Sequence, residues 1–150
     1  MTAIFARILV PMDFSTHSEM ALRHATALAK QSGGSVELLH VMDDPVMSDV
    51  WSSEVYVPNL PELREKLLAN AEARLAAYRE SIGNEGVPIV TTVRSGQAAH
   101  MIVDYVKAAG SDLVVMGTHG RTGLPRLFLG SVAERVVGLS PCPVMTVRGK

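Results

Sequence analysis

Cysteine, aromatic residues, charge of one sign and long apolar runs are all scarce in this chain, and each scarcity excludes something. The single cysteine, Cys142, cannot close an internal disulfide and has no neighbouring thiol for a zinc or redox pair, which suits a reducing cytoplasm. Fourteen Lys+Arg against fifteen Asp+Glu leave a formal charge of -1, so no electrostatic footprint for nucleic acid or an anionic membrane surface is present. No apolar run approaches the roughly 18 residues that span a bilayer, and the first residues enter an apolar segment without a basic leader or cleavage-like site. Neither a membrane span nor secretion is expected. Two phosphate motifs are missing as well: there is no G-x-x-x-x-G-K-[ST] with its lysine, and no G-x-G-x-x-G after the first strand.

What is present is apolar material arranged with alternating periods. Hydrophobic residues make up 47% of the 150, enough for one buried core, so residues 1–150 are expected to form a single domain. Arg7 to Pro11 is a nearly continuous apolar run, as for a strand covered on both faces of a parallel sheet. Thr16 and Glu19 have capping-box spacing, Ala21, Leu22, Ala25, Leu28 and Ala29 recur at helical intervals, and Gly33-Gly34 supplies a C-cap. Ser35 to Val41 reads as a second strand and Val87 to Val93 as a third. Between them, Leu60, Leu63, Leu67, Ala71, Leu75 and Tyr78 step by three or four, which predicts a long amphipathic helix closed near Gly83. A further helix through Ala99, Ile102, Val103 and Val106 ends at Gly110, followed by the strand Leu113 to Met116. Ser131 to Val137 reads as a short helix, and Val144 to Val147 as a last strand. This β-α alternation implies an α/β fold, a parallel sheet with right-handed crossovers and helices on both faces. In such sheets ligands sit beyond the carboxyl ends of the strands, where the winding reverses.

The candidate chemistry lies at those ends. Gly117-Thr118-His119-Gly120 follows the fourth strand, and nine residues later Gly130-Ser131 opens a helix. A phosphate needs unhindered main-chain N–H groups, which Gly117 and Gly120 could expose and which the helix start at Gly130-Ser131 supplies together with its dipole and the Ser131 hydroxyl. Ordinary turns are the competing reading of these glycines. Asp13, at the tip of the first strand, could accept from ribose hydroxyls or help to hold a metal; the competing reading is an acid at a helix start that serves the dipole. Val41, at the matching tip of strand two, could contact a base. His119 could donate to a phosphate or tune hydrolysis, or could be a solvated loop histidine. Arg121 and Arg126 are read as solvated, Leu124, Leu127, Phe128 and Leu129 as packing, and Cys142, between two prolines, as part of a rigid approach to the last strand.

The segments Ile8-Leu9-Val10-Pro11-Met12-Asp13, Asp112 to Arg121, Gly130 to Val137 and Pro141-Cys142-Pro143-Val144 together resemble the universal stress protein family over nearly the whole chain. The family's nucleotide signature G-x-x-G-x9-G-[ST], which separates ATP-binding members from those that bind no nucleotide, is matched without a gap. The resemblance implies a Rossmann-like five-stranded sheet ordered 3-2-1-4-5 and binding of ATP or another adenine nucleotide, with magnesium or manganese as a possible companion. It further implies that Pro11, Asp13 and Val41 surround adenine and ribose, that Met116 lines the same pocket, and that Gly117, His119, Gly120, Gly130, Ser131 and Val132 receive the phosphates. A homodimer through the C-terminal edge strand follows from the same likeness. One departure is Phe14, where the family commonly has glycine, which implies a tighter or differently aimed loop. The function expected is a stress-response or regulatory module with slow or no hydrolysis. The alternatives are a metal-dependent ATPase or nucleotidyl transferase using Asp13 and His119, and a partner-binding module that keeps the glycines for folding alone. The segment from Asp43 to Leu60, with Trp51 and Tyr56, is expected to act as a mobile cover.

Overall fold

The computed structural model describes residues 4–42, 59–119 and 129–148. Five strands, β1 (Arg7–Pro11), β2 (Ser35–Met42), β3 (Ile89–Ser95), β4 (Leu113–Gly117) and β5 (Val144–Val147), alternate with helices α1 (Thr16–Ser32), α2 (Leu60–Gly83), α3 (Ala98–Ala109) and α4 (Ser131–Leu139). All pairings are parallel, and the strand order is β3-β2-β1-β4-β5.

Strand alternation divides the core into two layers. Ile8, Val10, Val36, Leu38, Leu113 and Val115 face α1 and α2, whereas Leu9, Leu39, Val114 and Met116 face α3 and α4. Because both faces are covered, the central strands read as continuous apolar runs rather than alternating ones. Fully buried side chains such as Ile8, Leu9, Leu39 and Val136 each contribute about 1.5–3 kcal/mol. Among the described residues no helix is long and apolar enough to cross a membrane.

Three local expectations need correction. The N-cap of α1 is Ser15, whose hydroxyl accepts the Ser18 N–H at 3.2 Å; Thr16 is already helical, and the Glu19 carboxylate takes the Tyr78 hydroxyl instead of closing a capping box. In α2 only Ala71, Leu75 and Ile82 are buried. Leu63 and Leu67 are exposed, so the apolar stripe is in place but its first half packs on nothing described. The third strand starts at Ile89, two residues later than the apolar pattern suggests, because Pro88 has no N–H to enter a ladder and instead offers its carbonyl to the Val36 N–H. The glycine pair after α1 behaves as expected: Gly33 adopts φ 70 and its N–H caps the helix at the Ala29 carbonyl.

At the amino-terminal pole of the sheet, the Asp112 carboxylate accepts the Ala6 and Arg7 N–H groups at 2.8 and 3.1 Å, and the Arg7 guanidinium reaches the Ala109 carbonyl. These bonds tie the start of β1 to the turn before β4, at the end of the sheet opposite the crevice.

Candidate functional site

The crevice originates in one residue of β1. Main-chain groups of a strand alternate between its two neighbours. Ser35 N–H bonds Ala6 and Met12 N–H bonds Leu39, so even-numbered residues of β1 face β2, and Pro11 faces β4. A residue at position 11 would donate its N–H to the Val115 carbonyl, and proline has none. The β1–β4 register accordingly covers Ile8 with Leu113 and Leu9 with Val114 only, whereas β1–β2 runs through to Pro11 with Leu39. Beyond Leu9 the sheet is open on that side.

The same alternation shows which main-chain groups face the opening. On β2, Leu39 points to β1 while Met42, whose carbonyl takes the Gly96 N–H, points to β3. Val41 therefore directs its N–H and C=O to the β1 side, past the end of that strand. On β4, Val114 and Thr118 donate to Pro143 and Val147 of the β5 side, so Gly117 turns its main-chain groups toward the crevice.

A cavity of about 260 Å³ fills this space, lined by Pro11, Met12, Asp13, Ser18, Leu39, Val41, Ala98, Ile102, Met116, Gly117, Thr118, His119, Gly130, Ser131, Val132 and Ala133. The structure thus brings together Pro11, Asp13, Val41, Met116, Gly117, His119, Gly130, Ser131 and Val132. Gly120 lies outside the described residues, as do Arg121, Arg126, Leu124, Leu127, Phe128, Trp51 and Tyr56. Sequence reasoning missed Met12, Ser18, Leu39, Ala98, Ile102, Thr118 and Ala133. Thr118 lies inside the glycine motif; the others carry only the signal of ordinary core positions.

Two glycines have a steric role besides the one expected. A Cβ on Gly117 would stand 2.7 Å from the His17 Cβ and 2.9 Å from its carbonyl carbon, so the missing side chain lets α1 approach β4. A Cβ on Gly130 would stand 2.8 Å from the Thr118 carbonyl oxygen, the atom that also accepts the Gly130 N–H at 2.7 Å. Gly130 therefore seats α4 on the β4 loop. A side chain here would strike the protein's own main chain.

The donors toward the cavity come from the next residues. Glu134 N–H makes the first helical bond, to the Gly130 carbonyl, which leaves the N–H groups of Ser131, Val132 and Ala133 without intrahelical acceptors. Gly130 as N-cap has no side chain to satisfy them, so the positive end of α4 opens on the cavity. His119 is buried, its Nδ1 lies 3.0 Å from the Thr118 hydroxyl, and its ring meets His17 edge to face at 5.6 Å. The solvated-loop reading of His119 is excluded. Asp13 accepts the Ser15 N–H at 2.9 Å through Oδ1.

Phe14 adopts φ 66, the left-handed conformation that glycine takes freely and that costs other residues roughly 1–2 kcal/mol. Its ring leaves the cavity side and packs between His40, at 4.6 Å, and Tyr78, at 6.4 Å, with the Arg74 guanidinium 3.9 Å above it. Such contacts are worth about 0.5–1.5 kcal/mol each, enough to offset the strain. A wider, more polar groove of about 720 Å³ lies between α1 and α2, lined by Glu19, Arg23, Lys30, Tyr78 and Glu85 among others.

Residues 5–148 match the model of the universal stress protein family. Universal stress protein YxiE of Bacillus subtilis is 34% identical over 148 residues, 97% of this chain and 100% of that protein. Universal stress protein MJ0577 of Methanocaldococcus jannaschii is 31% identical over 160 residues, covering 100% and 99%. The solved structure of MJ0577 superimposes with a TM-score of 0.84 at 32% identity over 98% of each chain. The universal stress protein from Archaeoglobus fulgidus, solved in complex with dAMP, shares the fold with a TM-score of 0.67 at 21% identity over 95% of this chain and 98% of that one.

Proposed function

This chain belongs to the universal stress protein family, and from that premise we propose that it binds an adenine nucleotide, ATP foremost, in the crevice over β1. The observation that carries the reading is the pairing of an apolar compartment with an uncapped helix start in one cavity. Leu39, Ile102 and Met116 offer apolar surface for a base. The Val41 N–H and C=O supply the donor and acceptor that adenine N1 and N6 require, and Asp13 supplies a carboxylate for ribose hydroxyls. The first-turn amides of α4 take the phosphates. Hydrogen bonds to a charged group are worth about 1.5–3 kcal/mol each, so three of them with a buried base support affinity on the order of micromolar, near -8 kcal/mol. The A. fulgidus protein, of the same fold, was solved with dAMP, which supports a nucleotide here.

The protein acts as a stress-response or regulatory module, with slow or no hydrolysis. The second reading, catalysis by Asp13 and His119 with a divalent metal, draws on the place of both residues in the cavity lining. No cluster of three His, Cys, Asp or Glu among the described residues could hold a metal. A divalent cation would therefore arrive on the phosphates, with Asp13 as the carboxylate nearest to hand. The chain works in the cytoplasm as one domain, and pairs with a second copy through the β5 edge, where Met145 is exposed.

Calorimetry with ATP, with and without magnesium, tests the reading. Saturable binding of ATP, weaker for GTP, is expected, and absence of heat at millimolar ATP overturns it. Phosphate release that disappears in Asp13→Ala would instead establish the enzyme.

A further inference from the structure

We propose that Phe14 is a positioning residue: clasped by α2, it holds the Asp13 carboxylate at the angle in which it meets a nucleotide's sugar. The inference rests on the nucleotide reading above and adds to it a residue that does not line the cavity.

A phenylalanine in a left-handed conformation persists only where its surroundings over-determine it. Here they do so from both sides. On the cavity side, the Asp13 carboxylate closes a turn over Phe14 by accepting the Ser15 N–H at 2.9 Å. On the other side, the Phe14 ring is held by Arg74 and Tyr78, one helical turn apart on α2, and by His40 of β2. His40 itself donates from Nδ1 to the Met12 carbonyl at 2.7 Å, the carbonyl directly before Asp13. Tyr78 passes its hydroxyl to Glu19 in the first turn of α1.

The consequence is directional. Asp13 lines the cavity while the ring of its neighbour Phe14 packs against α2, so the main-chain torsions that join the two residues set both the carboxylate and the ring. Loosening the ring frees the torsions and with them the carboxylate. The Pro11 and Val41 contacts to a base would be untouched, and the loss would fall on interactions made through Asp13.

The test is a double-mutant cycle read by calorimetry with ATP. Phe14→Leu, which keeps apolar bulk, is expected to weaken ATP binding about tenfold, and Phe14→Tyr to restore it to within about twofold. In an Asp13→Asn background, Phe14→Leu should have no further effect. Arg74→Ala, an exposed change that leaves the core intact, should weaken binding in the same direction and keeps the test available if Phe14→Leu folds poorly. In the free protein, hydrogen exchange at the Ser15 amide should speed up by about tenfold in Phe14→Leu. Equal losses in both Asp13 backgrounds, or wild-type affinity with unchanged Ser15 exchange, overturn the clasp. A wild-type protein that ignores ATP sinks the nucleotide reading instead, and the exchange measurement then decides the clasp alone.

Discussion

Gly130→Ala separates a steric account of the site from a conformational one. Gly130 has φ -61 and ψ 154, a backbone that any residue adopts, so the substitution introduces no torsional strain. What it introduces is a methyl 2.8 Å from the Thr118 carbonyl oxygen, where ordinary contact begins at 3.4 Å. Relief requires the start of α4 to withdraw by about 0.6 Å, since neither partner is a flexible side chain. The same movement stretches the Gly130 N–H bond to Thr118 from 2.7 Å to the edge of hydrogen-bonding range. A weakened main-chain bond of about 1 kcal/mol and a similar overpacking term make the loss of stability about 2 kcal/mol. For a chain of this size that lowers the melting temperature by roughly 4–8 °C. The amides of Ser131, Val132 and Ala133 retreat with the helix, so one phosphate hydrogen bond is lost and ATP affinity falls about tenfold to a hundredfold. Thermal melting and ATP calorimetry on one preparation measure both effects. Wild-type values in both would refute the reasoning, since the contact would then be absorbed without displacing α4.

Asp112→Ala leaves the Ala6 and Arg7 amides without the carboxylate that now serves both; a loss of about 2–4 kcal/mol in urea unfolding is expected, with ATP affinity unchanged because the lesion is at the far pole. A change below 0.5 kcal/mol, on the order of an ordinary surface substitution, would contradict it. Desolvation holds the Glu37 carboxyl above its usual 4.5, against the lowering pull of the Ser111 hydroxyl and of Arg7, while Asp112 adds to the rise. An acid with a raised folded pKa favours the fold while protonated and loses that contribution as pH rises through the folded value. Glu37→Gln should therefore gain stability over wild type at pH 7, with a margin that shrinks as pH falls toward 4.5; a margin that widens on acidification reverses the sign. Light scattering at micromolar concentration should find a dimer that Met145→Lys converts to monomer, and a wild-type monomer removes the β5 interface.

The β-α alternation and the glycine motif were legible because each rests on local rules. Continuous apolar runs such as Leu113 to Met116 announce strands buried on both faces, and Gly33 and Gly110 end helices where only a residue without Cβ fits comfortably, at φ 70 and 72. Less visible were Leu39, Ala98 and Ile102, which line the cavity yet have the pattern of any core residue. Nothing in α2 distinguishes Leu67, which is exposed, from Leu75, which is buried, because burial depends on what lies opposite.

The local sequence alone determined where strands and helices occur, which carboxylate ends β1, and that three small residues and a serine flank a helix start, since period, capping and backbone freedom act over a few neighbours. Tertiary structure decided what those residues are for. Pro11 opens the sheet only because an N–H is wanted by Val115 across a strand more than a hundred positions away in the chain. Gly117 and Gly130 are small because His17 and the Thr118 carbonyl press on them, and Phe14 can hold a glycine's torsions only because α2 supplies a cation and a ring to grip it.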